Sequence, residues 1–259
     1  KYEQKYERYW RDEMLHNKKI AFLGAGSMAE AMISGLVKSR KIPVEQIIAT
    51  NRSNQERLTA LESNYGIKGV KRENLRFDQI DIFILAMKPK DVENALNDIK
   101  SHIKPNQLIL SVLAGITTSY LEQNLHKGQQ IVRVMPNTSS TIGESATAIS
   151  PGHETADENV ELTRILLECI GEVYKIEEKD MDIFTGLAGS GPAYFYYLME
   201  HMEQQGVLAG LNIETTRQII AQTIVGAAKM IQQQDKTPTV LRENVTSPNG
   251  TTAAGLYAL

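Results

Sequence analysis

KIAFLGAGSMAEAMISGL, residues Lys19–Leu36, joins a short apolar run to a glycine turn and the turn to a helical pattern. Ile20–Leu23 is the kind of unbroken apolar segment that forms a parallel strand buried on both faces. It enters Gly24-Ala25-Gly26-Ser27-Met28-Ala29, a G-x-G-x-x-A turn. Beyond it Met28, Met32 and Leu36, with Ala29 and Ile33, fall on one side of a helix. Strand, turn and helix in this order are the setting that a dinucleotide fingerprint requires. Gly24 allows the tight turn, Gly26 lets backbone approach a pyrophosphate, and Ala29 keeps the helix close to the strand. The helix start adds free N–H groups and the positive end of its dipole. The competing reading is an ordinary glycine-rich turn; the flanking strand and helix favour a cofactor.

Downstream, Gln46–Thr50 reads as a second strand ending in Asn51-Arg52-Ser53. NAD-binding folds place an acidic residue at this end for the ribose 2′-hydroxyl, and NADP-binding folds place Arg near the 2′-phosphate. No acidic residue stands here, while Arg52 offers a planar fork of donors and Ser53 a hydroxyl. NADPH is therefore the expected cofactor, with NADH as the alternative. Gly66–Val70 reads as a third strand and Asp81–Ala86 as a buried fourth, closing on Met87-Lys88-Pro89 before a helix over 91–100. Leu108–Leu113 closes on Ala114-Gly115 before a helix over 117–125. Ligands of open α/β sheets sit at the carboxyl ends of strands, so Ala86, Met87, Lys88, Pro89, Ala114 and Gly115 are expected to line the cofactor cleft. Ile131–Met135, Ala146–Ile149 and Glu172–Ile176 complete the strands, with a helix over 156–170. The alternation predicts an α/β domain over residues 18–176, a Rossmann-type doubly wound, mostly parallel sheet.

The chain has 259 residues, 42% of them hydrophobic, enough for a large core in two domains. A net charge of −3 gives no reason to expect nucleic acid or a membrane surface as partner. No apolar run approaches the ~18 residues needed to span a bilayer. The lone Cys169, set in LLECIG, reads as a buried structural thiol and fits a reducing, cytoplasmic setting. His16, His102, His126, His153 and His201 lack metal-ligand spacing, so no metal is expected. Residues 1–17, opening KYEQKYERYWRDE, are expected to be a non-native or disordered extension, with Met14 reading as a natural start.

From Glu177 onward everything reads helical, giving a second, all-α domain over 177–259. Gly186–Pro192 interrupts two helices, with Pro192 placed as a first helical residue. Ala193–Ala209 and Ile213–Gln234 are long helices whose apolar faces, including Tyr194-Phe195-Tyr196-Tyr197, call for burial against a second subunit. A polar loop then leads into a helix beginning near Gly250, whose free N–H groups suit a small carboxylate. From these residues alone the better reading is a capped helix start, with Ser247 or Asn249 satisfying the donors.

LAGSGPAY at Leu187–Tyr194 and LRENVTSPNGTTAAGL at Leu241–Leu256 resemble the pyrroline-5-carboxylate reductase family, whose members catalyse the last step of proline biosynthesis. FLGAGSMAEAMI, the NRS after the second strand, AMKP and RVMPNT resemble it in the same order, from about Lys18 to the end. The resemblance implies hydride delivery from NAD(P)H to the C=N carbon of 1-pyrroline-5-carboxylate, giving L-proline. It implies that the Thr252 hydroxyl meets the ring nitrogen as the catalytic group. Backbone N–H groups of Gly250, Thr251 and Thr252, with Ser247, would hold the substrate carboxylate. Asp235 and Val245 fall with the substrate, and Asn244, Glu178 and Asn74 with the cofactor. The family forms homodimers that can assemble into decamers. Two departures stand out. Ser139 occupies a position where the family usually has Pro, a minor loop change. The family also continues for a further helix beyond Leu259, which bears on stability and assembly more than on chemistry.

Two other functions remain open to the sequence. A β-hydroxyacid dehydrogenase shares the domain order and needs a catalytic lysine on a helix; Lys229 in GAAKM is the candidate, but it lacks the paired asparagines a turn later. The other is an NADP-binding sensor without turnover.

Overall fold

The apolar runs become strands: β1 (Ile20–Leu23), β2 (Ile47–Asn51), β3 (Lys68–Lys71), β4 (Ile82–Leu85), β5 (Leu108–Ser111), β6 (Gln130–Met135), β7 (Ser145–Pro151) and β8 (Gly171–Lys175). The computed structural model describes residues 14–259, and among these the strands form one eight-stranded sheet in the order β3-β2-β1-β4-β5-β6-β7-β8. Every pairing is parallel except β6 with β7. The link between those two holds only a 3₁₀ turn, Thr138–Ile142, too short for the crossover that a parallel return demands.

Helices α1 (Ser27–Ser39), α2 (Gln55–Tyr65), α3 (Val92–Lys100), α4 (Thr118–Asn124) and α5 (Asp157–Leu167) cover the sheet. Alternate strand residues feed two cores, as a period of two dictates. Ile20, Phe22, Ile82 and Ile84 pack with Met32, Ile33 and Leu36 of α1 and Leu166 of α5. Ala21, Leu23, Phe83 and Leu85 pack with Leu96 and Ile99 of α3 and Leu121 of α4. Each fully buried Leu, Ile or Phe contributes about 1.5–3 kcal/mol relative to exposure. At Gly35 a Cβ would stand 2.5 Å from Ser140 O, so α1 lies directly on the Thr138–Ile142 turn. Within that turn Ser139 uses its N–H, donating to Asn137 Oδ1 at 3.0 Å, a bond that proline could not make.

The expectation that residues 1–17 lie outside the fold is corrected for 14–17. Leu15 is fully buried in the α1 core, and the carbonyl of His16 accepts from Gln46 Nε2. Residues 1–13, the rest of that expected extension, lie outside the described residues.

By contacts the chain divides at Gly191–Pro192, later than the junction expected near Glu177. The intervening stretch belongs with the sheet because Met181, at the start of α6 (Met181–Phe184), packs on Met135 and Ala148. A π-helical turn, Thr185–Gly189, follows.

The second unit holds α8 (Ile213–Gln233), α9 (Pro238–Asn244), α10 (Thr251–Ala258) and nearly all of α7 (Gly191–Leu208). Gly206 on α7 lies so close to Thr216 on α8 that a Cβ would meet its methyl at 2.5 Å. Glu203 receives both Nε and Nη2 of Arg217 across the same pair, which holds its carboxyl below the usual range. Helix α9 was not expected; Thr237 accepts from the Val240 N–H and Pro238 opens the helix, the usual start signals. Tyr194, Phe195, Tyr196 and Tyr197 are each more than half exposed in the single chain. Among the described residues no helix is long and apolar enough to cross a membrane.

Candidate active site

At the carboxyl end of β1 the chain turns so tightly that Gly24 takes a φ of 120° and donates its N–H to Thr50 O at 3.1 Å. Ala86 in turn donates to Leu23 O at 3.0 Å, drawing the ends of β1, β2 and β4 together. A Cβ on Gly24 would lie 2.5 Å from Ala86 O, whereas one on Gly26 would meet nothing within 4 Å. The first glycine is thus needed for the fold of the turn, and the second leaves its backbone open. Gly26 is the N-cap of α1 and no side chain caps that helix, so its first N–H groups remain available to an anion. Gly24→Ala is expected to cost at least about 2 kcal/mol, from strained φ and the carbonyl overlap, and to abolish nucleotide binding. Thermal melting and a fluorescence titration with NADPH check both effects.

A cleft of about 620 Å³ opens over this turn, and Gly24, Ala25, Gly26, Asn51, Arg52, Ser53, Ala86, Met87 and Lys88 all line it. Ser27 and Met28 start α1 beside it, and Pro89 opens the 3₁₀ turn Pro89–Asp91, whose Lys90 and Asp91 do line it. Asn51 shapes the loop, its Oδ1 accepting from Ser53 N and Asn54 N, both at 3.2 Å. Ala114 and Gly115 sit exposed beyond the end of β5, outside the cleft lining.

Two sequence-derived cofactor residues fall elsewhere. Asn74 faces a separate depression shared with Lys19, at the amino end of β1, because the 3₁₀ turn Arg72–Asn74 carries it away. Glu178 is engaged by its own chain: Oε1 accepts from Thr118 N at 2.8 Å and Arg133 Nη1 at 3.2 Å, and Oε2 from Thr118 Oγ1 at 2.6 Å. It satisfies a free donor at the start of α4 and neutralises an arginine whose side chain is 5% exposed.

The structure adds two arginines that sequence reasoning missed. Arg57 of α2 lines the cleft and braces the glycine turn, donating Nε to Ala25 O at 2.8 Å and Nη2 to Glu30. Glu30 also accepts from Tyr65, whose hydroxyl is raised above its ordinary pKa by burial and by that carboxylate. Arg72, just past β3, lines the cleft too. Burial lowers its guanidinium pKa, Asp98 opposing the shift and the charge of Arg52 adding to it. Neither lies in a motif; a guanidinium at a strand end and one on the following helix were the available signals.

In the helical unit Asn244 ends α9 and Val245 follows, exposed. Asp235 lies exposed in the link between α8 and α9. Ser247 O accepts from Gly250 N at 3.0 Å, and a Cβ on Gly250 would stand 2.3 Å from Ser247 Oγ. Asn249 takes a φ of 58°, turning the chain into α10. Gly250 is the N-cap and no side chain caps the helix, which corrects the reading of Ser247 or Asn249 as a simple cap. The N–H groups that open α10, with Thr251 and Thr252 as its first residues, carry no side-chain cap. Among the described residues no group of three His, Cys, Asp or Glu could hold a metal ion.

A family model described as pyrroline-5-carboxylate reductase dimerisation matches residues 178–259, and one described as NADP oxidoreductase, coenzyme F420-dependent, matches residues 19–115. The chain is 62% identical over 242 residues to pyrroline-5-carboxylate reductase 1 of Bacillus subtilis (strain 168), covering 93% of this chain and 82% of that relative. It is 37% identical to pyrroline-5-carboxylate reductase of Arabidopsis thaliana, covering 93% and 87%. Among solved structures it is similar to Plasmodium falciparum pyrroline carboxylate reductase with NADP bound. The TM-score there is 0.85 at 30% identity, covering 95% of this chain and 90% of that one. Lys229 is exposed on α8, and the 62% identity to a pyrroline-5-carboxylate reductase decides against the β-hydroxyacid dehydrogenase reading. A glycine-turn cleft followed by a helical unit with an uncapped helix start, in a chain this similar to those reductases, belongs to the pyrroline-5-carboxylate reductase family.

Proposed function

We propose that the chain reduces 1-pyrroline-5-carboxylate to L-proline with NADPH, the last step of proline biosynthesis. The observation that carries this reading is a cleft built for a dinucleotide whose β2 end bears a guanidinium in place of a carboxylate. Bound in this cleft, NADPH would supply a hydride for the C=N carbon of a substrate whose ring nitrogen is already protonated, so the amine would form without a further proton from the protein. The α1 N-terminus and the open backbone at Gly26 hold the pyrophosphate, and Arg52 with Ser53 takes the ribose 2′-phosphate. In the helical unit, backbone N–H groups of Gly250, Thr251 and Thr252, with Ser247, hold the substrate carboxylate. The Thr252 hydroxyl bonds the ring nitrogen, with Asp235 and Val245 near the substrate. A protonated imine is already electrophilic, so orientation against the donor is most of the task.

Arg52→Ala is expected to raise KM for NADPH roughly tenfold, the lower end for a charge-assisted bond because this side chain is exposed, and to leave KM for NADH unchanged. Steady-state kinetics with both cofactors reads this directly.

The exposed aromatic row of α7 and the dimerisation match support a homodimer, and further assembly to a decamer is part of the same proposal. Sedimentation velocity distinguishes the two masses. A cytoplasmic place of action, consistent with the single buried thiol of Cys169, is proposed with it. The test of the function is NADPH oxidation with 1-pyrroline-5-carboxylate, beside NADP⁺ reduction with a 3-hydroxy acid. Turnover of the first alone supports the reductase, whereas NADPH binding without turnover of either would leave a sensor.

A further inference from the structure

We propose that Arg72 is a second guanidinium for the 2′-phosphate of the cofactor, paired with Arg52 across the ends of two neighbouring strands. The placement follows from the sheet register. Asn51 and Lys71 are partners at the last position where β2 and β3 pair, so Arg52 and Arg72 each leave the sheet one residue later, side by side. Both line the large cleft, and both also face a smaller adjoining cavity of about 320 Å³ together with Lys71. Arg52 and Arg72 are the two cations that line both cavities and Asp98 is the acid that lines both, while Lys71 and Glu73 line the smaller cavity alone and Asp91 the cleft alone.

The local chemistry is that of a site built for an anion. Arg72 Nε is buried without a hydrogen-bond partner, and a buried unmet donor is costly unless a ligand meets it. Its charge is disfavoured by burial and by Arg52, and Asp98 offsets this only in part. A dianionic phosphate between the two guanidiniums would relieve their repulsion and accept from both forks, the geometry for which arginine is suited. Asp98 alone would explain a structural ion pair, yet no hydrogen bond or salt bridge joins it to Arg72 among the described residues.

This inference rests on the NADPH reading, so its test uses a fragment that reports the 2′-phosphate without turnover. Isothermal titration of the full chain with 2′,5′-ADP and with 5′-AMP, which differ only by the 2′-phosphate, compares the wild type with Arg72→Gln and Arg72→Lys. The expected result for Arg72→Gln is about twentyfold weaker binding of 2′,5′-ADP with 5′-AMP unchanged. Arg72→Lys should recover part of the loss, because it restores the charge without the fork. KM should rise for NADPH and not for NADH. Equal binding of 2′,5′-ADP by the wild type and both variants, or equal losses for the two fragments, overturns the role of Arg72 and leaves the NADPH reading standing. A wild type that binds 2′,5′-ADP no better than 5′-AMP overturns both.

Discussion

Glu178→Ala is expected to destabilise the fold by about 3 kcal/mol, the lower end for breaking a buried ion pair because the Glu178 side chain is itself a quarter exposed. Removing the carboxylate leaves the Arg133 guanidinium charged with its Nη1 partner gone, and Arg133 Nε already lacks one. It also strips Thr118 of the acceptor for both its N–H and its hydroxyl, at the start of α4. For a chain of this size the loss corresponds to a melting temperature lower by roughly 6–12 °C. Glu178→Gln should recover part of this, since an amide oxygen still accepts from Thr118 but brings no charge to Arg133. The variants separate two roles for one residue. As a cofactor contact, Glu178 would leave the melting temperature untouched on removal and weaken NADPH binding alone. As the strut seen here, it lowers the melting temperature in the absence of any ligand.

In the structure Glu178 binds Thr118 and Arg133, and Asn74 lines a depression apart from the glycine-turn cleft. The resemblance places both with the cofactor because it aligns positions along a chain and carries no account of which atoms a carboxylate meets. The strands of the parallel sheet were legible because burial on both faces leaves unbroken apolar runs such as Ile82–Leu85. The reversal of β7 leaves no mark in the apolar pattern, and only the short link from Met135 to Ser145, which excludes a crossover, points to it. Helix α9 is hidden in the sequence because Arg242, Glu243 and Asn244 make it polar, and its only clear mark is the Thr237-Pro238 start. Arg57 and Arg72 escaped notice for a different reason. Arg57 acts on Ala25 from another helix, and Arg72 comes beside Arg52 only through the pairing of β2 with β3. The glycine turn is local and announces itself; the side chains that brace it and extend its charge are assembled by tertiary structure.

Thr252→Ala is expected to lower kcat and kcat/KM together by roughly ten- to a hundredfold, while KM for NADPH stays unchanged. The structure sharpens this expectation. Thr252 is the second residue of α10 and Gly250 is the N-cap, and no side chain caps the helix, so the Thr252 hydroxyl does not hold the helix start together. A capping threonine would cost ~1 kcal/mol of stability on removal and leave the rate of the folded enzyme intact. A hydroxyl on the ring nitrogen matters more as the imine becomes an amine, because hydrogen bonding to that nitrogen changes along the reaction coordinate. Its loss therefore appears in the rate rather than in substrate affinity. The drop stops short of abolition because the carboxylate contacts and the orientation of the substrate remain. Thr252→Ser keeps the hydroxyl and should recover most of the rate; Thr252→Val keeps the shape and should not. Equal stability of all three variants by thermal melting, with rates ordered Thr, Ser, then Ala and Val together, is the expected pattern. Normal turnover by Thr252→Ala with a lowered melting temperature would assign Thr252 to the helix and remove it from the chemistry.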